Sequence, residues 1–170
     1  MKMMSLSLLL LGVLPLVGVE ASARQVKEPD PWASYRFLIG EWRGEATGDA
    51  GSQKGDLSFT LDLGGKLMIG KNRVEIVESP HHPPIVREAI VTISPAAGDQ
   101  SAKATVFSGS RPIACDVKIT NDGQSVVISN ENDPRAQKVR LVYTKAGENT
   151  LNVAAAVAPP GNDEEFKPLY

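Results

Sequence analysis

The feature that most constrains this fold is an alternation of apolar and polar residues that recurs along most of the chain. In GDLSFTLDL, the residues Leu57, Phe59, Leu61 and Leu63 share one parity and polar residues take the other. The same period of two recurs over 113–119, 139–143 and 151–157. An alternation of this kind is typical of strands with one buried face, and helical periodicity is nearly absent.

Short turn sequences separate the alternating runs and predict hairpins between neighbours. Gly64-Gly65 and Asp122-Gly123 are dipeptides that favour tight hairpin turns. A meander of this length removes its exposed edges best by closing. We therefore predict an all-β domain over 37–170, an up-and-down antiparallel β-barrel of about nine or ten strands. The predicted strands are 37–47, 55–63, 66–78, 85–94, 102–109, 112–120, 124–130, 137–145, 149–157 and a short one near 165–170.

The N-terminal residues have the features of a secretory signal peptide. Lys2 precedes an apolar run from Ser5 to Val19, and Ala21-Ser22-Ala23 supplies the small residues that a signal peptidase accepts. The alternative is an uncleaved anchor, but the run is shorter than the ~20 residues of a spanning helix. We predict a signal peptide over 1–23, a periplasmic or secreted location without membrane attachment, and an N-terminal arm over 24–36.

The composition limits which partners the mature chain can bind and which covalent bonds it can form. Removal of residues 1–23 leaves 147 residues with a net charge of −2, enough for one domain with a core. No basic stripe is visible, so we expect no nucleic-acid partner. Cys115 is the one cysteine, which excludes an intramolecular disulfide. We expect Cys115 to be a buried, inert thiol on an apolar strand face.

One run, KLMIGKNRVEIVE, breaks the simple alternation. Leu67 and Ile69 share one parity, whereas Val74 and Ile76 share the other. A β-bulge near Gly70 to Asn72 would restore a common face. The alternative is an unbroken strand with both faces partly covered.

A G-x-W sequence, Gly40-Glu41-Trp42, stands at the start of the first predicted strand. Together with LIGEWRGEATG, DLGGKLMIGKNR, VRLVYT and APPG, it resembles the calycin superfamily of lipocalins and fatty-acid-binding proteins. Over about residues 36–168 the chain is similar to exported bacterial lipocalin-like barrels of unknown function, and distantly to nitrobindin-type barrels. The resemblance implies that Trp42 plugs the closed end and that a late-strand arginine, here Arg140, stacks on it.

Nitrobindin-type barrels bind haem through a late histidine, and this chain departs from that pattern. Its only histidines, His81 and His82, lie in the predicted loop SPHHPP, without other ligands at a suitable spacing. We therefore predict no metal and no cofactor. No nucleophile elbow, phosphate-binding glycine loop or zinc-protease motif is present, and we assign no catalytic residues.

The expected function is binding of a small apolar or amphipathic ligand inside the barrel. The predicted ligand-binding residues are Trp42, Phe59, Leu61, Arg73, Glu88, Cys115 and Tyr143, with Arg73 and Glu88 as inward polar groups. Two alternatives stay open. One is a small enzyme on the same scaffold, which is not favoured, and the other is a filled-core interaction protein. In the second case Ala154-Ala155-Ala156 would pack against another subunit in a homodimer.

Overall fold

The computed structural model describes eight segments of the chain: 30–48, 51–77, 81–96, 101–109, 111–120, 123–130, 135–161 and 165–169. The predicted signal peptide and residues 24–29 of the predicted arm lie outside the described residues. Within the described segments, no helix has the length and apolar character needed to cross a membrane.

Ten strands form one antiparallel sheet in which every strand pairs with its neighbour in sequence. This order confirms the predicted up-and-down meander, and most strand bounds agree with the prediction within two or three residues. The strands are β1 (Gly40–Gly48), β2 (Gly51–Asp62), β3 (Leu67–Val77), β4 (Ile85–Ser94), β5 (Lys103–Phe107), β6 (Ile113–Ile119), β7 (Ser125–Ser129), β8 (Lys138–Lys145), β9 (Leu151–Ala158) and β10 (Lys167–Pro168).

The sheet curls into a half-barrel whose two edge strands are unequal. Among the described residues, β1 pairs with β2 along its whole length, and β10 adds only Lys167 and Pro168 to the end of β9. Within the described segments, the strand order joins no other partner to β1. The edge of β1 and most of the edge of β9 are therefore not joined to each other by a strand ladder.

The register of β3 decides between a bulge and an unbroken strand. Its pairing with β2 runs without interruption from Leu67 opposite Asp62 to Val77 opposite Ser52. Its pairing with β4 is also continuous from Met68 to Ile76. The bulge is therefore absent and the alternative, an unbroken strand, is observed, with apolar residues on both faces of β3.

One face of the sheet, here called the inner face, carries Phe59, the residues paired with it across the ladders, and every second residue from these along each strand. Fully buried side chains on this face come from strands far apart in sequence, among them Phe59, Met68, Ile93, Val126 and Tyr143. The rings of Phe59 and Tyr143 meet edge to face with centroids 5.2 Å apart, a favourable arrangement for two aromatic groups. This half of the interior is filled by side chains.

A short 3₁₀ helix (Ala33–Leu38) precedes β1 and packs on the filled half of the interior. Trp32, Tyr35 and Leu38 are buried there, and Trp32 Nε1 donates a hydrogen bond to the carbonyl oxygen of Gly65 at 2.6 Å. Trp32 is thus the fully buried tryptophan at this end, whereas Trp42 is only partly buried. Gly40, with φ of 140°, then turns the chain from the helix into β1.

The hairpin between β2 and β3 forms as predicted but has a longer turn. Leu63, Gly64 and Gly65 all have positive φ, at 50°, 67° and 83°. Leu63 therefore lies in the turn and is exposed, although alternation places it in the strand. The two glycines adopt this conformation without the steric cost of a side chain.

Candidate functional site

A groove of about 670 Å³ lies on the inner face, at the end of the half-barrel that the core does not fill. It runs between the ends of β1, β2 and β3 on one side and the start of β9 with its preceding turn on the other. We call it the inner groove. Its inward-facing lining residues are Trp42, Gly44, Ala46, Gln53, Gly55, Leu57, Asn72, Val74, Leu151 and Val153.

Strand alternation explains why this groove is mainly apolar. Trp42, Leu57 and Asn72 are partners in register across β1, β2 and β3, and Val74 is the next inward residue of β3. Trp42 Nε1 donates to the carbonyl oxygen of Leu38 at 2.9 Å, which satisfies the indole nitrogen and fixes the ring. The groove therefore offers an aromatic ring and aliphatic side chains with little conformational freedom.

Small residues keep the groove open. Gly44 and Gly55 face each other across β1 and β2, and Ala46 lies opposite Gln53. A Cβ atom placed on Gly44 would have no heavy atom within 4 Å. The space beside Gly44 is therefore free, and a larger side chain at this position would enter it.

Gln53 is the polar residue at the base of the inner groove. Its side chain is only 6% exposed, and it lies in register between Ala46 and Ile76, which carry no side-chain hydrogen-bonding group. Its Oε1 atom has no hydrogen-bond partner among the described residues. A buried acceptor left unpaired costs about 1–3 kcal/mol, and most buried polar side chains in proteins are paired.

The charged residues around the inner groove all belong to outward positions of β1 and β2. Arg43 and Asp56 form an ion pair at 3.0 Å whose side chains are both largely exposed. Glu45 and Lys54 are opposite each other in the same ladder, so the positive and negative charges around the groove balance. Among the described lining residues, no charged side chain projects from the inner face.

A second depression, of about 880 Å³, is lined mostly by outward-facing residues of β1 to β5. We call it the outer cleft. Ile90 and Phe107 are in register there and both are exposed. Arg73 lies beside them, with Glu75 at 2.6 Å and Glu88 at 3.7 Å. These exposed pairs contribute little to stability because water screens them.

Arg73 and Glu88 therefore do not point into the barrel, and this prediction is wrong. Both side chains are substantially exposed on the outer face, since β3 continues without the bulge that would have re-aimed Arg73. They line the outer cleft instead of the inner groove.

The other predicted ligand-binding residues lie at different depths. Phe59, Tyr143 and Cys115 are buried in the filled half of the interior, and none of them is among the described residues that line the inner groove. Leu61 is 37% exposed at the opposite end of β2. Of the seven predicted residues, the structure places Trp42 alone in the inner groove.

Cys115 is buried, as predicted, and its environment keeps the thiol protonated. Burial raises the pKa of Cys115 to about 11, and the nearby negative charge of Asp116 adds to this effect. Its Sγ lies 3.7 Å from the carbonyl oxygen of Ile113. A protonated, buried thiol is a poor nucleophile.

Arg140 does not stack on Trp42. It lies on the outer face of β8, in register with Ser129 and Ala156, and its guanidinium stands 4.0 Å from the centroid of the Phe166 ring. Trp42 is on the opposite face of the sheet, so the expected stack is replaced by a cation–π contact with the C-terminal segment.

His81 and His82 are both exposed just before β4. Within the described segments, no group of three or more histidine, cysteine, aspartate or glutamate residues is arranged to hold a metal ion.

Comparisons of the chain with protein-family models, with curated proteins and with solved structures find no match. The interpretation of the inner groove therefore rests on its own geometry and chemistry. The curled antiparallel half-barrel is compatible with a calycin-like fold.

Sequence reasoning missed Gln53 and Trp32. Gln53 shares the parity of Leu57 and Phe59, so an earlier start of β2 would have identified a polar residue on the inner face. Trp32 stands in a polar, proline-containing stretch without alternation, and its burial depends on packing between distant segments.

Proposed function

We propose that this protein is an exported lipocalin-like half-barrel that binds a small, mainly apolar molecule in the inner groove. The observation that carries the proposal is an open space of about 670 Å³ lined by Trp42, Leu57, Val74, Leu151 and Val153. Ligand sites in proteins are concave, mainly apolar and typically ~300–1,000 Å³ in volume. The filled half of the interior gives the groove a rigid base, which lowers the cost of ordering on binding.

The size of the groove supports modest affinity from apolar contact alone. Burial of about ten methylene groups would contribute roughly 8 kcal/mol at ~0.8 kcal/mol each. Association itself costs an estimated ~4–15 kcal/mol. A polar contact in the groove is therefore needed for tight binding.

Binding can be tested with N-phenyl-1-naphthylamine, an uncharged fluorophore whose emission rises in apolar surroundings. We expect saturable binding to the folded full chain. Gly44→Leu should reduce the affinity at least tenfold, because the new side chain enters free space in the groove. Thr60→Leu is the matched control, since Thr60 is an exposed residue of the neighbouring strand outside the groove lining. Equal affinity in the two variants, or no saturable binding by the native chain, would refute the proposal.

A further inference from the structure

We infer that the inner groove selects an uncharged amphiphile whose head group carries an O–H or N–H donor, and that the Gln53 amide binds this head group. The inference rests on the proposed function and adds the ligand class. It starts from a polar side chain that is 6% exposed, lines the groove and leaves Oε1 without a partner among the described residues.

The neighbours of Gln53 explain why a ligand is the missing partner. Its in-register partners on the inner face are Ala46 and Ile76, and the adjacent inward position of β2 is Gly55. None of these side chains can donate a hydrogen bond. Oε1 has almost no surface open to solvent in this conformation and no partner among the described residues, so a donor carried into the groove by a ligand would pair with it once the amide turns toward the groove.

The chemistry of the acceptor defines the head group. An amide oxygen accepts from a hydroxyl or an amide N–H, and an ether or an ester offers no proton to it. A head group without a donor would occupy the same place and leave Oε1 unpaired. The groove should therefore discriminate between two ligands of equal size that differ only in the presence of a donor.

The charge distribution excludes ionic head groups. The charged lining residues, Arg43, Glu45, Lys54 and Asp56, occupy outward positions, and none projects from the inner face. An ammonium group placed beside Gln53 would lose its hydration without gaining a counter-ion from the lining residues. For a carboxylate, the inner face of β4 offers Arg87 opposite Val74, but Arg87 is exposed and lies outside the groove lining, so it compensates little. The expected ligands are thus neutral, with an alcohol or amide head and an aliphatic or aromatic body.

The test compares 1-decanol with methyl nonyl ether, which has the same number of heavy atoms but no donor. Both displace N-phenyl-1-naphthylamine from the full chain, and we expect decanol to bind about tenfold more tightly, the effect of roughly one hydrogen bond. Sodium decanoate at neutral pH should bind more weakly than decanol.

Gln53→Met keeps the unbranched shape and removes the amide, and it should bind the alcohol and the ether equally. Gln53→Glu is the second variant, and at neutral pH it should favour decylamine, which is protonated, over decanol. Far-ultraviolet circular dichroism and thermal unfolding verify that each variant is folded. Thr60→Leu should keep the native preference.

Two results distinguish a failure of the ligand-class inference from a failure of the proposed function. If the fluorophore binds the groove but decanol and the ether have equal affinity, or if Gln53→Met keeps the preference, the donor inference is wrong and the proposed function stands. If the native chain does not bind the fluorophore at all, the proposed function fails and the inference fails with it.

Discussion

The ring of Phe59 lies over the backbone of Gly70, its partner in register on the neighbouring strand. A Cβ atom on Gly70 would come within 2.9 Å of Phe59 Cδ1 and Cζ, and closer still to Cε1. The absence of a side chain at position 70 therefore allows the aromatic ring to fill the space between β2 and β3. The ring in turn meets Tyr143 from β8, so the close approach links both sides of the half-barrel.

Gly70→Ala should destabilise the fold by about 1–3 kcal/mol, because the added methyl group forces the Phe59 ring out of its place. Urea unfolding measures this change. Gly44→Ala is the control on the same face, since its Cβ meets no heavy atom within 4 Å, and it should change stability by less than about 0.5 kcal/mol.

The double variant Phe59→Leu with Gly70→Ala tests whether contact with the Phe59 ring causes the loss of stability in Gly70→Ala. The two substitutions should couple by about 1 kcal/mol, because the smaller leucine leaves room for the alanine methyl group. Strictly additive effects would show that Gly70 is not constrained by the Phe59 ring.

Much of this arrangement could be predicted from the sequence, because alternation and turn residues are local signals. Phe59 was expected on the inner face, and it is buried there. Of the two interpretations of β3, the unbroken strand is the observed one, because Gly70 allows the close approach of an aromatic ring and does not mark an extra residue. The sequence of one strand by itself does not distinguish a glycine at a bulge from a glycine that lies beneath an aromatic ring.

The candidate site was less predictable than the fold. Alternation indicates which residues face inward, but it does not indicate which part of the interior is filled. Cys115 and Trp42 both face inward, yet Cys115 is buried in the core and Trp42 lines the groove. That difference depends on where Trp32 and the 3₁₀ helix pack, and no local pattern encodes it.

Cys115 should resist thiol reagents in the folded protein at pH 8. Its side chain is 5% exposed and its pKa is raised to about 11, so the reactive thiolate is scarce and hidden. Labelling by N-ethylmaleimide followed by mass spectrometry should be slow, and urea should accelerate it. Because Cys115 is outside the described groove lining, a groove ligand should slow labelling only as far as it stabilises the folded state against unfolding. Rapid labelling of the folded chain would contradict this placement.

The same thiol should make the fold less stable at alkaline pH. A free cysteine ionises at about pH 8.5, whereas folded Cys115, because of burial and the charge of Asp116, ionises at about pH 11. The folded state therefore holds its proton where the unfolded state has lost it, and stability falls as pH rises between these values. Cys115→Ala should show a shallower loss between pH 8 and pH 10.5 in urea unfolding. An equal slope in both proteins would show that Cys115 does not contribute.

Asn130 should stabilise the connection between β7 and β8. Its side chain accepts a hydrogen bond from Val139 N at 2.6 Å and donates one to the carbonyl oxygen of Gln137 at 2.8 Å. Asn130 is itself buried. Asn130→Ala removes both bonds, so we expect a loss of about 2 kcal/mol in the free energy of unfolding. Asn152→Ala, at an exposed position of β9, should change it by less than about 0.5 kcal/mol. Similar losses in the two variants would mean that the Asn130 bonds add nothing.

The predicted signal peptide can be tested by export in a bacterial host. The small residues Ala21-Ser22-Ala23 predict cleavage after Ala23, so N-terminal sequencing of the exported protein should begin at Arg24. Replacing both Ala21 and Ala23 with arginine should block processing, whereas Ala33→Arg, at an exposed position of the 3₁₀ helix, should not. An intact N-terminus on protein held in the membrane would show that the segment is an anchor.

Trp32 should be the tryptophan on which the fold depends most. It is 3% exposed, meets Tyr35 edge to face, and donates to the carbonyl oxygen of Gly65 in the β2–β3 turn. Trp32→Ala should cost about 3–5 kcal/mol, the usual loss when a large buried side chain leaves a cavity. Trp32→Phe should cost about 2 kcal/mol, because it keeps much of the ring but leaves the Gly65 carbonyl oxygen without the indole donor.

Trp42→Phe is the matched control, since Trp42 also donates to a carbonyl oxygen but is only partly buried. It should be less destabilising than Trp32→Phe in urea unfolding, and it should weaken binding of N-phenyl-1-naphthylamine, because Trp42 lines the inner groove. Trp32→Phe, when folded, should leave that binding nearly unchanged. A larger stability loss in Trp42→Phe, or weaker probe binding in Trp32→Phe alone, would reverse the roles assigned to the two tryptophans.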